Sequence, residues 1–258
     1  MQIFDFHLHP GYDFHNPAIP GQVFTDNLKR KGIVGCSGSW LSKACRNLPA
    51  DQYGKLIADY NRNAWEFHES APDFYIPGIH IHPDFPELSI NEIETHNAKG
   101  GNLVGELVPY MMGWNLTHPN LDPLFTRIRD LDMVVCIHLP RDLAPVIRIM
   151  DTVPGLKLVI SHFCDNVLYD DLINLLMRYD SLYADISAHR KDHPDIIADA
   201  VNKIGSKKIL YGSDYPGYDP DGFIKLVTDA KISTREKEDI LYQNATNLLN
   251  FRKGGKQL

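Results

Sequence analysis

With 258 residues, 43% hydrophobic and 23% charged, the chain has an ordinary globular composition, which excludes a disordered, collagen-like or coiled-coil polymer. Its 26 Lys and Arg against 33 Asp and Glu leave a net charge of −7, the wrong sign for affinity gained by neutralising phosphates, so no nucleic-acid partner is expected. No stretch approaches ~18 consecutive apolar residues, and MQIFDFHLHPGYDFH lacks a basic segment leading into an apolar one, so the expectation is a cytoplasmic protein without signal peptide or membrane partner.

Along the chain, eight short runs bounded by Gly, Pro or Asn read as strands. They are QIFDFHLH, GIVGCS, YIPGIHI, NLVGELV, MVVCIHL, LKLVISH, SLYADIS and KILYGSD. Each gap but the first has room for a helix with its turns; the first, after Pro10, reads as looser. Leu121, Leu124, Phe125, Ile128 and Leu131 share one helical face, as do Ile196, Ile197, Ala200, Val201 and Ile204. Pro194 suits a first helical turn and Gly205 the position just past a helix end. Ser233 and Glu236 have capping-box spacing ahead of Ile240, Leu241, Leu248 and Leu249. No linker or low-complexity tract interrupts this alternation, so residues 1–258 are expected to form one domain, a (β/α)8 TIM barrel of the α/β class. The competing doubly wound sheet would place a Gly-rich turn after the first strand, where this chain has His-Leu-His-Pro.

Strand alternation predicts that Asp5, His7 and His9 face the barrel lumen while Phe4, Phe6 and Leu8 pack against helices. Strand ends are where the active sites of such barrels lie. Strand four holds Glu106, and strands five, six and eight end at His138, His162 and Asp214. Singly, each is more often a hydrogen-bonded structural residue than a ligand. Gathered at one mouth, six such groups would cost several kcal/mol unless something paired them, and a metal cation is the simplest common partner. Imidazole with carboxylate suits Zn2+, as one or two ions, with manganese, iron or nickel as alternatives. The four cysteines, Cys36, Cys45, Cys136 and Cys164, form no C-x-x-C pair and read as free thiols.

DFHLHP at the start, CIHLP and VISHF in strands five and six, ILYGSDYP in strand eight and ILYQNATNLLNF near the end resemble the amidohydrolase superfamily. The resemblance is to the amidohydrolase-2 branch, which includes aminocarboxymuconate semialdehyde decarboxylase-like enzymes, and it spans almost the whole chain. It implies that His7, His9, His138 and Asp214 are metal ligands, that His162 is a ligand or general acid/base, and that Asp214 takes a proton from the attacking water. Many two-metal relatives carry a carboxylated lysine on strand four. VGELVP has none, so a bridging anion would be Glu106, as in the TatD-like branch; otherwise the site is mononuclear and Glu106 positions substrate or solvent.

His80 and His82 are assigned to the pocket wall or to hydrogen bonds behind the ligands, with a purely structural role as the alternative. Arg46, Arg141 and Arg190 follow strands two, five and seven; any of them could clamp a substrate carboxylate, or all could be solvated. Tyr110, Trp114 and Tyr215 could wall an apolar pocket or simply pack. The first functional expectation is a metal-dependent hydrolase that uses activated water on an amide, lactone or related C–N or C–O bond of a small molecule. The second is non-oxidative decarboxylation of an unsaturated acid at the same ligands. A TatD-like nuclease and a non-catalytic binding barrel are the further alternatives, and a homo-oligomer is left open.

Overall fold

The structure, a computed structural model, describes residues 1–46, 48–163, 168–188 and 195–251. All eight expected strands form: β1 (Ile3–Leu8), β2 (Ile33–Ser39), β3 (Tyr75–Ile79), β4 (Leu103–Leu107), β5 (Val134–Ile137), β6 (Lys157–Ile160), β7 (Leu182–Asp185) and β8 (Ile209–Leu210). They pair in parallel in chain order. Closure comes from Phe6 and His9, whose amides donate to the carbonyls of Tyr211 and Tyr215, each at 2.9 Å. The result is a (β/α)8 barrel, as the strand count predicts.

Helices α1 (Gly21–Arg30), α2 (Tyr53–Ser70), α3 (Pro86–Ala98), α4 (Leu121–Asp130), α5 (Ala144–Thr152), α6 (Tyr169–Arg178), α7 (Ile196–Ile204) and α8 (Pro220–Asp229) fill the successive gaps. The looser first gap therefore also holds a helix, because Phe24, Thr25 and Leu28 bury one face of it. In α4 the predicted face is buried at Leu121, Leu124, Phe125 and Ile128. Gly205 follows α7 with φ of 74°, a left-handed conformation that a side chain would oppose. The Ser233–Glu236 capping box is present and starts α9 (Thr234–Glu238). A π-helical turn over Asp239–Gln243 then leads into α10 (Asn244–Leu248). Pro194, Cys164 and Arg190 lie outside the described residues. Among the described cysteines, Cys36, Cys45 and Cys136 are free and buried. No helix among the described residues is long and apolar enough to cross a membrane.

The alternation predicted for β1 holds at His7, Leu8 and His9 and fails earlier in the strand. Phe4 and Phe6 do not pack on the helices; they join Ile76, Leu103, Val134, Val159 and Leu210 from other strands, closed off by Leu248, Leu249 and Phe251. Leu8 belongs to the separate layer between strands and helices. Between Asp5 and Leu8 the pairing with β2 shifts register, and such an irregularity moves later side chains to the opposite face. One end of the lumen is thus apolar and plugged by the C-terminal segment, whose Leu249 carbonyl accepts from Asn102 Nδ2 at 2.7 Å.

In the helix layer a buried histidine makes stability sensitive to acid. His96 on α3 is buried edge-on to Trp65, with ring centroids 5.3 Å apart, and a Cβ at Gly101 would come within 2.2 Å of its ring. Neither ring nitrogen has a hydrogen-bond partner among the described residues, and burial pushes its pKa down to about 3. The folded state holds it neutral while the unfolded chain protonates it near its ordinary value, so its contribution is complete above pH ~6.5 and is lost on acidification. Between pH 7 and 5 it should cost about 2 kcal/mol of stability. Urea unfolding of His96→Leu should show a pH 7-to-5 loss smaller by that amount; an unchanged loss would mean that His96 does not govern this acid sensitivity.

Candidate active site

At the other end of the lumen the chain leaves each strand and the polar side chains converge. Glu106 on β4 is 4% exposed and stands at the centre of the cluster. Its backbone is set by Gly105, which has φ of 110° and lies so close to β5 that a Cβ would fall 2.1 Å from the Cys136 carbonyl oxygen, so only glycine fits there. His162 and Asp214 have φ of 62° and 59°, the left-handed region that costs a non-glycine residue about 1–3 kcal/mol. Both lie where the chain turns off β6 and β8. Asp214 is held there by its amide, which donates to the His7 carbonyl at 2.7 Å.

The two Glu106 carboxylate oxygens serve different groups. Oε2 lies 3.4 Å from both His7 Nε2 and His9 Nε2; these two nitrogens are 3.1 Å apart, and Asp214 Oδ1 stands 3.4 Å from His9 Nε2. Oε1 lies 3.1 Å from His138 Nδ1 and 3.2 Å from His162 Nε2, with 3.1 Å between those nitrogens. Ligand atoms bound at 2.0–2.2 Å to a common ion in tetrahedral or octahedral geometry stand about 2.8–3.6 Å apart, and both sets fall in that range. All six residues named from the strand ends are therefore brought together.

The protons give the stronger test. His9 Nδ1 faces the Ser39 carbonyl at 3.0 Å, and a carbonyl can only accept, so Nδ1 carries the hydrogen and Nε2 presents a bare lone pair in the neutral ring. His7 Nδ1 is fixed likewise by Asp185 Oδ2 at 2.9 Å, and His162 Nδ1 faces the Ser187 carbonyl at 3.2 Å. With neutral rings, lone pairs then confront one another and a carboxylate at little more than 3 Å, which is repulsive unless a proton or a metal cation lies among them. The electrostatics show the same demand for positive charge, which a proton on the imidazoles meets when no ion is bound. Burial disfavours charge at both His7 and Glu106, yet their mutual attraction outweighs it: Glu106, with Asp185, holds the His7 pKa well above the ordinary imidazole value. The imidazoles of His7 and His138 hold Glu106 well below the ordinary carboxyl value. The donor set fits a divalent ion: the ligand atoms of His7, His9 and Asp214, and those of His7, Glu106 and His162, lie within 4.8 Å of one another.

Asp185 and Ser187 on and after β7 are the residues that strand-end reasoning missed. Asp185 accepts from His7 Nδ1, the Ser187 hydroxyl and the Ser187 amide, fixing the orientation in which His7 offers Nε2. The signal is there in SLYADIS, an acid at a strand end like those of strands four and eight. Asp5 was expected to face the lumen beside His7. Instead it is fully buried and accepts from the Ser213 hydroxyl and amide at 2.6 and 3.0 Å, tying β1 to the end of β8, and burial raises its pKa to about 7.

His80 and His82 line neither of the two cavities at the mouth. His80 Nε2 donates to the Trp40 carbonyl and His82 Nε2 to the Met112 carbonyl, both at 2.8 Å, so each fixes a loop that follows a neighbouring strand. Burial lowers both pKa values, to about 4 for His80, and keeps the rings neutral. Tyr215 packs on Phe24, with ring centroids 4.9 Å apart, and its hydroxyl accepts from Asn27.

A cavity of about 130 Å3 at the mouth is lined by His9, Glu106, His138, His162 and Asp214 together with Tyr12, Phe14, Arg46 and Tyr110. Arg46 lies over the Phe14 ring, 4.6 Å from its centroid. Tyr110 and His138 also border a second cavity, of about 570 Å3, whose walls include Trp114 and Arg141.

Three solved structures share the fold over nearly their whole length. A dihydroxybenzoic acid decarboxylase from Polaromonas sp. JS666, with bound manganese and the inhibitor 2-nitroresorcinol, has a TM-score of 0.73 at 16% identity, covering 100% of this chain and 98% of that one. The 5-carboxyvanillate decarboxylase LigW from Sphingomonas paucimobilis has a TM-score of 0.69 at 13% identity, covering 98% and 99%. A probable 2-pyrone-4,6-dicarboxylic acid hydrolase from Acinetobacter baumannii, with citric acid bound, has a TM-score of 0.72 at 19% identity, covering 97% and 100%. No curated protein matches the chain. The amidohydrolase family profile, Amidohydro_2, matches residues 50–251; His7 and His9 precede that segment and join the set through the closure of the barrel. Most of the chain thus carries the family's signature on the fold its strand pattern predicts, and the protein is an enzyme of the amidohydrolase-2 family.

Proposed function

We propose that the protein is a metal-dependent hydrolase of small molecules, acting on an amide, lactone or related C–N or C–O bond. The observation that carries this reading is the Glu106 carboxylate splayed between two nitrogen sets, His7 with His9 on one oxygen and His138 with His162 on the other. Such an arrangement suits two divalent ions bridged by one anion, with Asp214 joining the His7–His9 side. A bound divalent ion supplies Lewis acidity, polarising a carbonyl oxygen and lowering the pKa of water from 15.7 to about 7. Asp214, its side chain 17% exposed and facing the mouth cavity, accepts the proton of the attacking water and returns it to the leaving group. His162 has both ring nitrogens engaged, by Ser187 and by the Glu106–His138 pair, so it serves as a ligand and leaves proton transfer to Asp214. Asp185 keeps His7 in the required tautomer. Zinc and manganese both suit imidazole with carboxylate, and the Polaromonas structure holds manganese.

Non-oxidative decarboxylation of an unsaturated or aromatic acid is the second reading. Arg46 favours it: the side chain is exposed at the mouth over Phe14, forms no ion pair with another described residue, and is suited to a substrate carboxylate. Two of the three neighbours described above carry decarboxylase names. The deciding experiment loads metal-free protein with Zn2+ or Mn2+, counts bound equivalents and assays aryl lactones and amides beside hydroxybenzoates. Close to two equivalents with lactone or amide turnover is the expected result. One equivalent with carbon dioxide release would replace the hydrolase by the decarboxylase, and no retained metal would remove both.

A further inference from the structure

The mouth cavity is too small to hold a substrate by itself. Pockets for small molecules usually enclose about 300–1,000 Å3, and the space bordered by Glu106, His138, His162 and Asp214 is about 130 Å3. The second cavity, at about 570 Å3, is of the right size and shares Tyr110 and His138 with the first, so a molecule whose reacting bond lies against Glu106 and Asp214 has its remainder directed past His138.

The walls of this second chamber specify the remainder. Pro109, Leu116, Leu139, Pro140 and the indole of Trp114 give it apolar sides suited to a planar or aliphatic body. Trp114 is 7% exposed and its indole N–H has no hydrogen-bond partner among the described residues, leaving a donor available beside the chamber. Arg141 supplies a positive charge that forms no ion pair with another described residue. The one carboxylate in the lining, Asp142, accepts from the Ala144 amide at 3.0 Å. The wall is held in place from behind: the Arg148 guanidinium donates to the Leu116 carbonyl at 3.1 Å while pairing with Asp122 on α4, and His82 holds the Met112 carbonyl.

We propose that this chamber is the substrate's distal subsite, and that Arg141 selects molecules carrying a carboxylate or similar anion on an apolar body, away from the bond that reacts. This deepens the proposed hydrolase function and rests on it for the position of the reacting bond.

The test is a binding measurement that needs no turnover. Metal-loaded protein is titrated calorimetrically with benzoate, which can satisfy one end, and with isophthalate, which carries a second carboxylate on the same ring. Wild-type protein should bind isophthalate at least about tenfold more tightly, the strength of one charge-assisted hydrogen-bonded contact. Arg141→Gln should abolish that preference, whereas Arg178→Gln, which removes an exposed arginine paired with Asp151 elsewhere on the surface, should keep it. Equal affinities in the wild type, or a preference that survives Arg141→Gln, would overturn the assignment. If the preference collapses in Arg141→Gln while no lactone or amide is hydrolysed, the subsite stands and the hydrolase reading falls; hydrolysis with a preference insensitive to Arg141→Gln removes the subsite and keeps the hydrolase.

Discussion

Asp214→Asn is expected to lower kcat by about 10²–10⁴-fold while leaving the fold intact. The amide of asparagine keeps the size and one ligating oxygen of the carboxylate but cannot take a proton from water. The backbone that holds the side chain in place, its amide on the His7 carbonyl at 2.7 Å and Ser213 anchored by Asp5, is untouched by the change. The measurement is kcat at saturating substrate on protein whose metal content and circular dichroism match the wild type. Matching metal content separates loss of the base from loss of a ligand. Turnover within about threefold of wild type would show that another group takes the proton; His162, with both ring nitrogens occupied, is poorly placed to be it.

Glu106→Gln should have the larger structural consequence, because one side chain serves both nitrogen sets. The substituted amide can offer its oxygen to only one of them and turns an N–H2 donor toward the other, repelling a cation where Glu106 attracts it. The expected result is a drop from near two bound equivalents to one or fewer, with kcat/KM reduced by more than about 10³. A third readout guards against misfolding. Loading with metal should raise the wild-type Tm, since ligand that binds only the native state stabilises it by mass action, and most of that rise should vanish in Glu106→Gln. In the metal-free variant, His7 also loses the largest influence that favours its protonation, so its imidazole should titrate at lower pH than in the metal-free wild type. NMR of the histidine ring protons reads this directly. Full retention of two equivalents would show that Glu106 bridges nothing and would move it to the substrate side of the site.

Much of this site is readable from the chain because barrel geometry turns a one-dimensional regularity into a spatial one. Each strand ends at the same rim, so a histidine or acid at a strand end meets the others even when many residues separate them. His7, His9, Glu106, His138, His162 and Asp214 are all legible this way. Asp185 obeys the same rule and escapes notice only because YADIS resembles no ligand motif. The partners that fix tautomers, the carbonyls of Ser39 and Ser187, are not legible, since every residue has a carbonyl and only the folded backbone determines which one faces a ring.

His80 and His82 repeat the His-x-His pattern of β1, and the sequence leaves them between the pocket wall, hydrogen bonds behind the ligands and a structural role; the fold turns their rings to the Trp40 and Met112 carbonyls, away from the mouth cavities. Arg46 and Arg141 are equally ambiguous without the cavities, because a loop arginine's reach depends on loop course, not on sequence.

Hydrophobic periodicity and strand count thus determined the barrel, its chain order and the six polar residues of its rim, since both follow from local burial preferences repeated eight times. Tertiary structure alone decided which face Phe4 and Phe6 take, how Glu106 divides its two oxygens, and that a chamber containing Arg141 adjoins the mouth. Those outcomes depend on register shifts, backbone torsions at His162 and Asp214, and loop packing, which are settled by contacts between distant segments.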